Sequence, residues 1–416
     1  MTTVARARPD RIRVSFSDGQ DRSLGALWPV PRPLLPVRLA WRQLRAERAR
    51  LVAAVAGVMF ATLLVLMQLG FRAALFQTAV ALPQAIQGQL FLINPLTEAL
   101  FRYEPVPRIR AYQALAVPGV IAAVPIYLAQ ESWRNPLTGT HRVIQLIGFD
   151  VKANAIAMPG LARLTDLLTQ RDTVAFDSLS RPEFGPIPEL LAQDGRLKAE
   201  IADREVTVVG TVKLGTTFDA DGNVVMSQTT FQRLVPGNPE SDVALVALRL
   251  KDGADVAEVR KRLQAILPPD VLVLTHPALL QRETRYWDKE TPIGVIFDFC
   301  SVMALMVGMV IVYQILFTDV SNHLRGYATL KALGFSHGYL QRVVLAEACI
   351  LACLGYVPGQ VAAAWLYRYV GQAARLPLEL TSARCSAVFA LVVAMCVAAA
   401  LLTLRKLREA DPASVF

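Results

Sequence analysis

The sequence predicts an α-helical membrane protein with four transmembrane helices and a large α+β extracytoplasmic domain inserted between the first and the second. Three observations carry that prediction. Apolar residues make up 54% of the 416 positions, and the excess is concentrated in four blocks of about the 20 residues that a helix needs to cross a hydrocarbon core. Between the first two blocks lies a long stretch, 72–291, in which β-rich and helical runs alternate. The basic residues, finally, sort to one side of a four-span arrangement. Residues 1–50 carry eleven arginines against four acids, the loop 318–342 nets +2 and the tail from Arg405 nets +1, so that of the total charge of +9 the rest of the chain contributes about −1. By the positive-inside rule both termini and the 318–342 loop are cytoplasmic.

Taken in order, residues 1–36 mix arginine with Pro29, Pro31, Pro33 and Pro36 and lack apolar periodicity, which predicts a disordered segment. Over 37–50, Val37, Trp41, Leu44 and Leu51 recur at helical spacing with Arg38, Arg42, Arg45 and Arg48 between them, the pattern of an interfacial amphipathic helix on the inner leaflet. Arginine clusters bind phosphate of any kind; beside a membrane span, anionic lipid and not nucleic acid is the expected partner. The first span, 51–71, has no charge. Too long a basic region precedes it, and no small-residue cleavage site follows, for a signal peptide.

In the inserted domain, strands are expected at 124–133, 142–149, 205–212, 243–250 and 271–275. A helix is expected at 255–267, where Val256, Val259, Leu263 and Ile266 share a face. A polar helical stretch from Pro277, with Arg282, Glu283, Arg285, Asp288 and Lys289, reads as a stalk leading to the second span at 292–317. The cytoplasmic loop 318–342, a third span at 343–370, a short external loop at 371–384, a fourth span at 385–404 and a cytoplasmic tail at 405–416 complete the chain.

The five cysteines, Cys300, Cys349, Cys353, Cys385 and Cys396, all fall in or beside spans, which excludes a disulfide framework for the soluble domain. The dipeptide Gly-Lys is absent, so the chain carries no P-loop of the usual form, and the four histidines form no HExxH. Neither metal nor any other cofactor is expected. Gly334-Phe-Ser-His-Gly338 fits the GxSxG pattern of a nucleophile elbow, but that elbow needs a preceding strand, and Tyr327–Leu333 reads as helix. A helix stop at Gly334 and a cap at Ser336 account for the residues.

Two intramembrane features have competing readings. Gly355 and Gly359 form a GxxxG around Pro358 in the third span, which suits close packing within the subunit or across a dimer equally well. Asp298, in the outer half of the second span, is an expensive charge there; it is either a functional carboxylate or a residue placed at the interface.

At the cytoplasmic loop the run from Asp319 to Ser336, DVSNHLRGYATLKALGFS, followed by Glu347 in the third span, resembles the signature of the MacB/FtsX permease superfamily. The Ala40-Trp-Arg-Gln-Leu44 start and the Asp411-Pro-Ala ending resemble its DevC branch. The resemblance implies a homodimeric permease in the bacterial inner membrane, itself without ATPase activity. A separate ABC ATPase subunit binds the ATP, and a periplasmic adaptor (membrane fusion protein) and an outer-membrane channel of TolC type complete a tripartite exporter. An FtsX-like regulator, which passes ATPase motion to a partner such as a cell-wall hydrolase, is the alternative. Within the loop helix Leu324, Tyr327 and Ala328 share a face while Arg325 and Lys331 reach outward, so these residues, with Gly334 and Glu347, are the candidates for coupling to the ATPase. Relatives place an acidic residue where this chain has Arg325-Gly326.

Overall fold

The computed structural model describes residues 35–216, 220–237, 241–322 and 337–409. Among them four helices are long and apolar enough to cross a membrane. The first span helix runs Arg48–Ala79, the second Pro292–Asn322, the third His337–Ala374 and the fourth Ser382–Glu409. Each exceeds its apolar block, since flanking polar residues extend a helix beyond the hydrocarbon without breaking it. Arg72, where the sequence ends the first span, stops nothing: helix-forming residues continue to Ala79, and the chain turns at Val80. The external loop is correspondingly shorter than 371–384.

Ahead of the spans, Leu35–Ala46 is the expected amphipathic helix. Ala40 and Leu44 are buried while Val37 and Trp41 are exposed, and the helix lies against the third span. Glu47, with non-helical φ −111° and ψ 73°, separates it from the first span. Leu35 and Pro36 belong to this helix rather than to a disordered segment, proline being well tolerated in a first turn, whose N–H groups have no partner in the helix. Residues 1–34, the loop 323–336 and the tail from 410 lie outside the described residues.

The inserted domain is built on a nine-stranded sheet. Its strands are β1 (Leu90–Ile93), β3 (Val120–Arg134), β4 (His141–Phe149), β5 (Thr173–Asp177), β6 (Leu197–Ile201), β7 (Arg204–Val212), β8 (Asn223–Ser227), β10 (Leu245–Leu250) and β11 (Leu272–Thr275); β2 (Val106–Pro107) and β9 (Asp242–Val243) form a separate pair. The order is β11-β1-β10-β3-β4-β8-β5-β7-β6, with β4–β8 and β5–β7 parallel. The tip of the long β3 also pairs with β6, Trp133 opposite Ile201, which closes β3, β4, β8, β5, β7 and β6 into a ring. Trp133, Phe176 and Phe184 are buried together on one face of the strands; Phe91, Ile126 and Phe149 belong to a second core on the other. The expected helix at 255–267 runs Val256–Ile266, capped by Asp255, whose carboxylate accepts from the Ala257 N–H at 2.9 Å. Its buried stripe is narrower than expected: Val259 and Leu263 are buried, whereas Ile266 faces solvent.

Among the spans, the first packs on the second and the third, the fourth bridges the same two, and the second and third barely touch. Small residues permit these approaches. A Cβ on Gly359 would come within 2.8 Å of the Thr62 Cβ, and one on Gly355 would collide with Val58, so this GxxxG seats the third span on the first within one chain. Gly57 similarly admits Ile311 of the second span.

Candidate functional site

The inserted domain meets the spans at a junction where side chains far apart in sequence converge. From β11 the chain enters the stalk helix His276–Arg285, continues through a π-helical turn, Tyr286–Glu290, and passes extended Thr291 into Pro292 of the second span. The π turn is closed by Thr291 N–H donating to the Tyr286 carbonyl at 3.2 Å. Gly294 lies against the Asp288 carbonyl so closely that any Cβ would collide with it. Single π turns are rare and recur at functional sites, where they interrupt the regular helix.

Arg72, at the domain end of the first span, holds this point. Its Nη1 donates to Asp298 Oδ1 at 2.5 Å and its Nη2 to Asp288 Oδ1 at 2.7 Å, with the guanidinium 5.6 Å from the Phe76 ring centroid. One planar fork thus joins the first span, the π turn and the second span. The stalk helix is in turn fastened to the domain. Arg282 donates to the carbonyls of Thr97 at 2.6 Å and Pro95 at 2.9 Å. Glu283 is buried and accepts from Leu100 N–H at 3.0 Å and Trp287 Nε1 at 3.3 Å, while Phe101 stacks on Trp287 at 5.1 Å. His276 Nε2 lies 3.1 Å from the Pro83 carbonyl, in the short helix Ala81–Ala85 that follows the first span.

A second fastening lies across the junction. The Asp177 carboxylate, fully buried, accepts from the N–H groups of Leu179, Leu214 and Gly215 at 2.8–3.1 Å and from Asn223 Nδ2 at 3.0 Å. Four donors satisfy a carboxylate that burial would otherwise make costly. The two turns it fixes face the loop between the third and fourth spans, where Arg375 Nη1 lies 3.3 Å from the Ser178 carbonyl.

The expected site residues divide between this junction and the spans. Asp298 is at the junction, largely exposed and paired with Arg72. Gly355 and Gly359 are inside the bundle against the first span, and Glu347 is fully buried in the third. Leu324, Arg325, Tyr327, Ala328, Lys331 and Gly334 lie outside the described residues. Among the described residues no cluster of histidine, cysteine or acidic side chains could hold a metal ion.

Comparison with known families decides what kind of chain this is. The family of MacB-like periplasmic core domains matches residues 51–266, a little over half of the chain, and the FtsX-like permease C-terminal family matches residues 299–412. The chain belongs to the MacB/FtsX permease superfamily. Among solved structures, this permease is similar to the periplasmic region of MacB from Actinobacillus actinomycetemcomitans, at 12% identity and TM-score 0.35, covering 48% of this chain and 94% of that one. It is also similar to the extracellular domain of the ABC-type transporter YknZ from Gram-positive bacteria, at 12% identity and TM-score 0.32, covering 45% and 99%. No curated protein matches. In the permease, the two family matches end and begin on either side of the stalk, so the junction residues Glu283, Trp287, Asp288 and Asp298 sit in the interval that joins the domain to spans two to four.

Sequence reasoning missed Arg72, Asp177, Asn223 and Arg375. Arg72 did carry a signal, being the first charge after an uncharged block of 21 residues. A lone arginine at that depth calls for a carboxylate partner on a neighbouring helix, and Asp298 is at the matching depth of the next span.

Proposed function

We propose that the chain is the permease subunit of an ABC-type tripartite exporter of the DevC/MacB kind, working as a homodimer in the bacterial inner membrane with both termini cytoplasmic. A separate ATPase binds and hydrolyses the ATP, docking on the 318–342 loop; a periplasmic adaptor and a TolC-type outer-membrane channel receive the substrate. The permease acts by mechanical transmission: closure of the ATPase displaces the loop and the second span, and the stalk passes that displacement to the domain as a hinge or shear movement.

The observation that carries this reading is the Arg72 fork. It joins the first and second spans at the one place where the helix leading to the domain is broken, so a shift of the spans reaches the stalk through a defined charge pair as well as through the backbone. Beyond it the stalk is held by Arg282 and Glu283, hydrogen bonds that move the 94–102 segment with the helix.

The test uses permease co-purified with its ATPase and reconstituted in vesicles. ATP should drive release of substrate on the domain side, and Arg72→Ala should abolish that release while the ATPase stays bound. ATP-driven activation of a cell-wall hydrolase with no transported substrate would assign the FtsX-like role instead.

A further inference from the structure

A cavity of about 470 Å³ opens beside the junction, between the domain end of the first span, the turns fixed by Asp177 and the loop that follows the third span. Gln77 and Gln84 line one side, Leu179 and Gly215 a second, and Arg375 and Pro377 the third. Its depth in the membrane follows from the third span. Trp365 and Tyr369 are exposed on that helix with their rings stacked at 5.8 Å and 7°, the pair of amphipathic aromatics expected at the membrane–water interface. Six residues further on, at 1.5 Å per residue, Arg375 stands about 9 Å beyond Tyr369, at the level of the lipid headgroups.

Arg375 is an unusual residue at its position. The helix ends at Ala374, and Arg375 follows with φ +53°, the left-handed cap conformation that glycine or asparagine ordinarily fills. Its guanidinium has five N–H donors. The Ser178 carbonyl takes one at 3.3 Å, and among the described residues no carboxylate is paired with it. A cation held in a disfavoured backbone conformation, at headgroup depth, on the wall of a cavity that also offers two amides and apolar surface, is suited to a phosphate attached to acyl chains.

We propose that this cavity binds the headgroup of an anionic phospholipid from the leaflet on the domain side, with Arg375 on the phosphate, Gln77 and Gln84 toward the polar glycerol end, and Leu179 and Pro377 against the first methylenes. The lipid would bridge the first span, the third span and the domain. This site does not depend on the transport reading, because it can be measured without ATPase or substrate.

The experiment uses the full chain, purified in neutral detergent, delipidated and titrated in native mass spectrometry with phosphatidylglycerol, phosphatidylcholine or inorganic phosphate. One phosphatidylglycerol per chain should bind about tenfold more tightly than phosphatidylcholine, whose phosphate is the same but whose choline cation is repelled by Arg375. Arg375→Gln should remove that preference. Arg384→Gln, in the first turn of the fourth span with its guanidinium on the Glu379 carbonyl, should keep it. Ala81→Phe, which fills the cavity without touching its charge, should weaken both lipids. Equal phosphatidylglycerol binding by wild type and Arg375→Gln would overturn the proposal, as would displacement of the lipid by equimolar inorganic phosphate.

Discussion

Arg72 and Asp177 both gather partners from distant parts of the chain, yet burial makes their energetic roles opposite. The partners of Arg72 are 31% and 64% exposed, so each pair contributes about 0–1 kcal/mol. Arg72→Ala should therefore change the melting temperature of the detergent-solubilised protein little. Its effect should fall on coupling: the ATP-dependent change in protease protection of the inserted domain should vanish, and Arg72→Lys should not restore it, since a point charge cannot fork to two carboxylates. A large drop in melting temperature would make Arg72 a structural residue only. Asp177 is buried with four donors aimed at it. Asp177→Ala leaves those donors without an acceptor, at about 1–3 kcal/mol for each that water cannot reach, and should lower the melting temperature strongly, which differential scanning calorimetry would record. Gly359→Leu should destabilise by about 1–3 kcal/mol through overpacking against Thr62, whereas a site used only between subunits would leave the monomer's melting unchanged.

At the scale of elements, what could be read from sequence depended on the kind of burial. The strands expected from alternation include those containing Gln130 and Thr207, polar residues that stay at least partly exposed. Strands β1, β2, β5, β6 and β8 were missed: β1, β5 and β8 are buried throughout and short runs like Leu90–Ile93 carry no period, β2 has two residues, and β6 mixes Lys198 and Glu200 into a run of five. The spans were legible because a hydrocarbon core imposes length and composition together. The junction was not legible, because Arg72 lies 216 and 226 residues from Asp288 and Asp298, a pairing no local pattern encodes. The stalk helix was foreseen, but its π turn was not, and there the element-scale prediction lies. Gly294→Ala, excluded by the Asp288 carbonyl, should force the turn toward another geometry. The expected result is retained ATPase binding with altered coupling; unchanged ATP-dependent protection of the domain would show that the turn's geometry does not matter.

For the whole molecule the decisive quantity is which side of the membrane each part occupies, and charge and mechanics make the same demand. The transmission proposed here works only if the 318–342 loop reaches a cytoplasmic ATPase while the stalk and domain stand on the other side. With four spans, that places both termini with the loop, where the eleven arginines of residues 1–50 also belong. A reporter active only outside the cytoplasm should give signal when inserted near Gly222 and none at Asn322 or after Phe416. The loop itself should then behave as a docking surface in which packing outweighs charge. Covering Leu324 and Tyr327 contributes on the order of 1.5–3 kcal/mol each, against about 0–1 kcal/mol for an exposed ion pair at Arg325. Changing Leu324 and Tyr327 together to serine should release the ATPase from the solubilised complex while the permease still inserts, and Arg325→Ala should weaken binding less and chiefly at low salt. Full ATPase binding by the double variant would leave the loop a connector. The Arg72 fork would then have no cytoplasmic motion to transmit, whatever its geometry at the other end of the span.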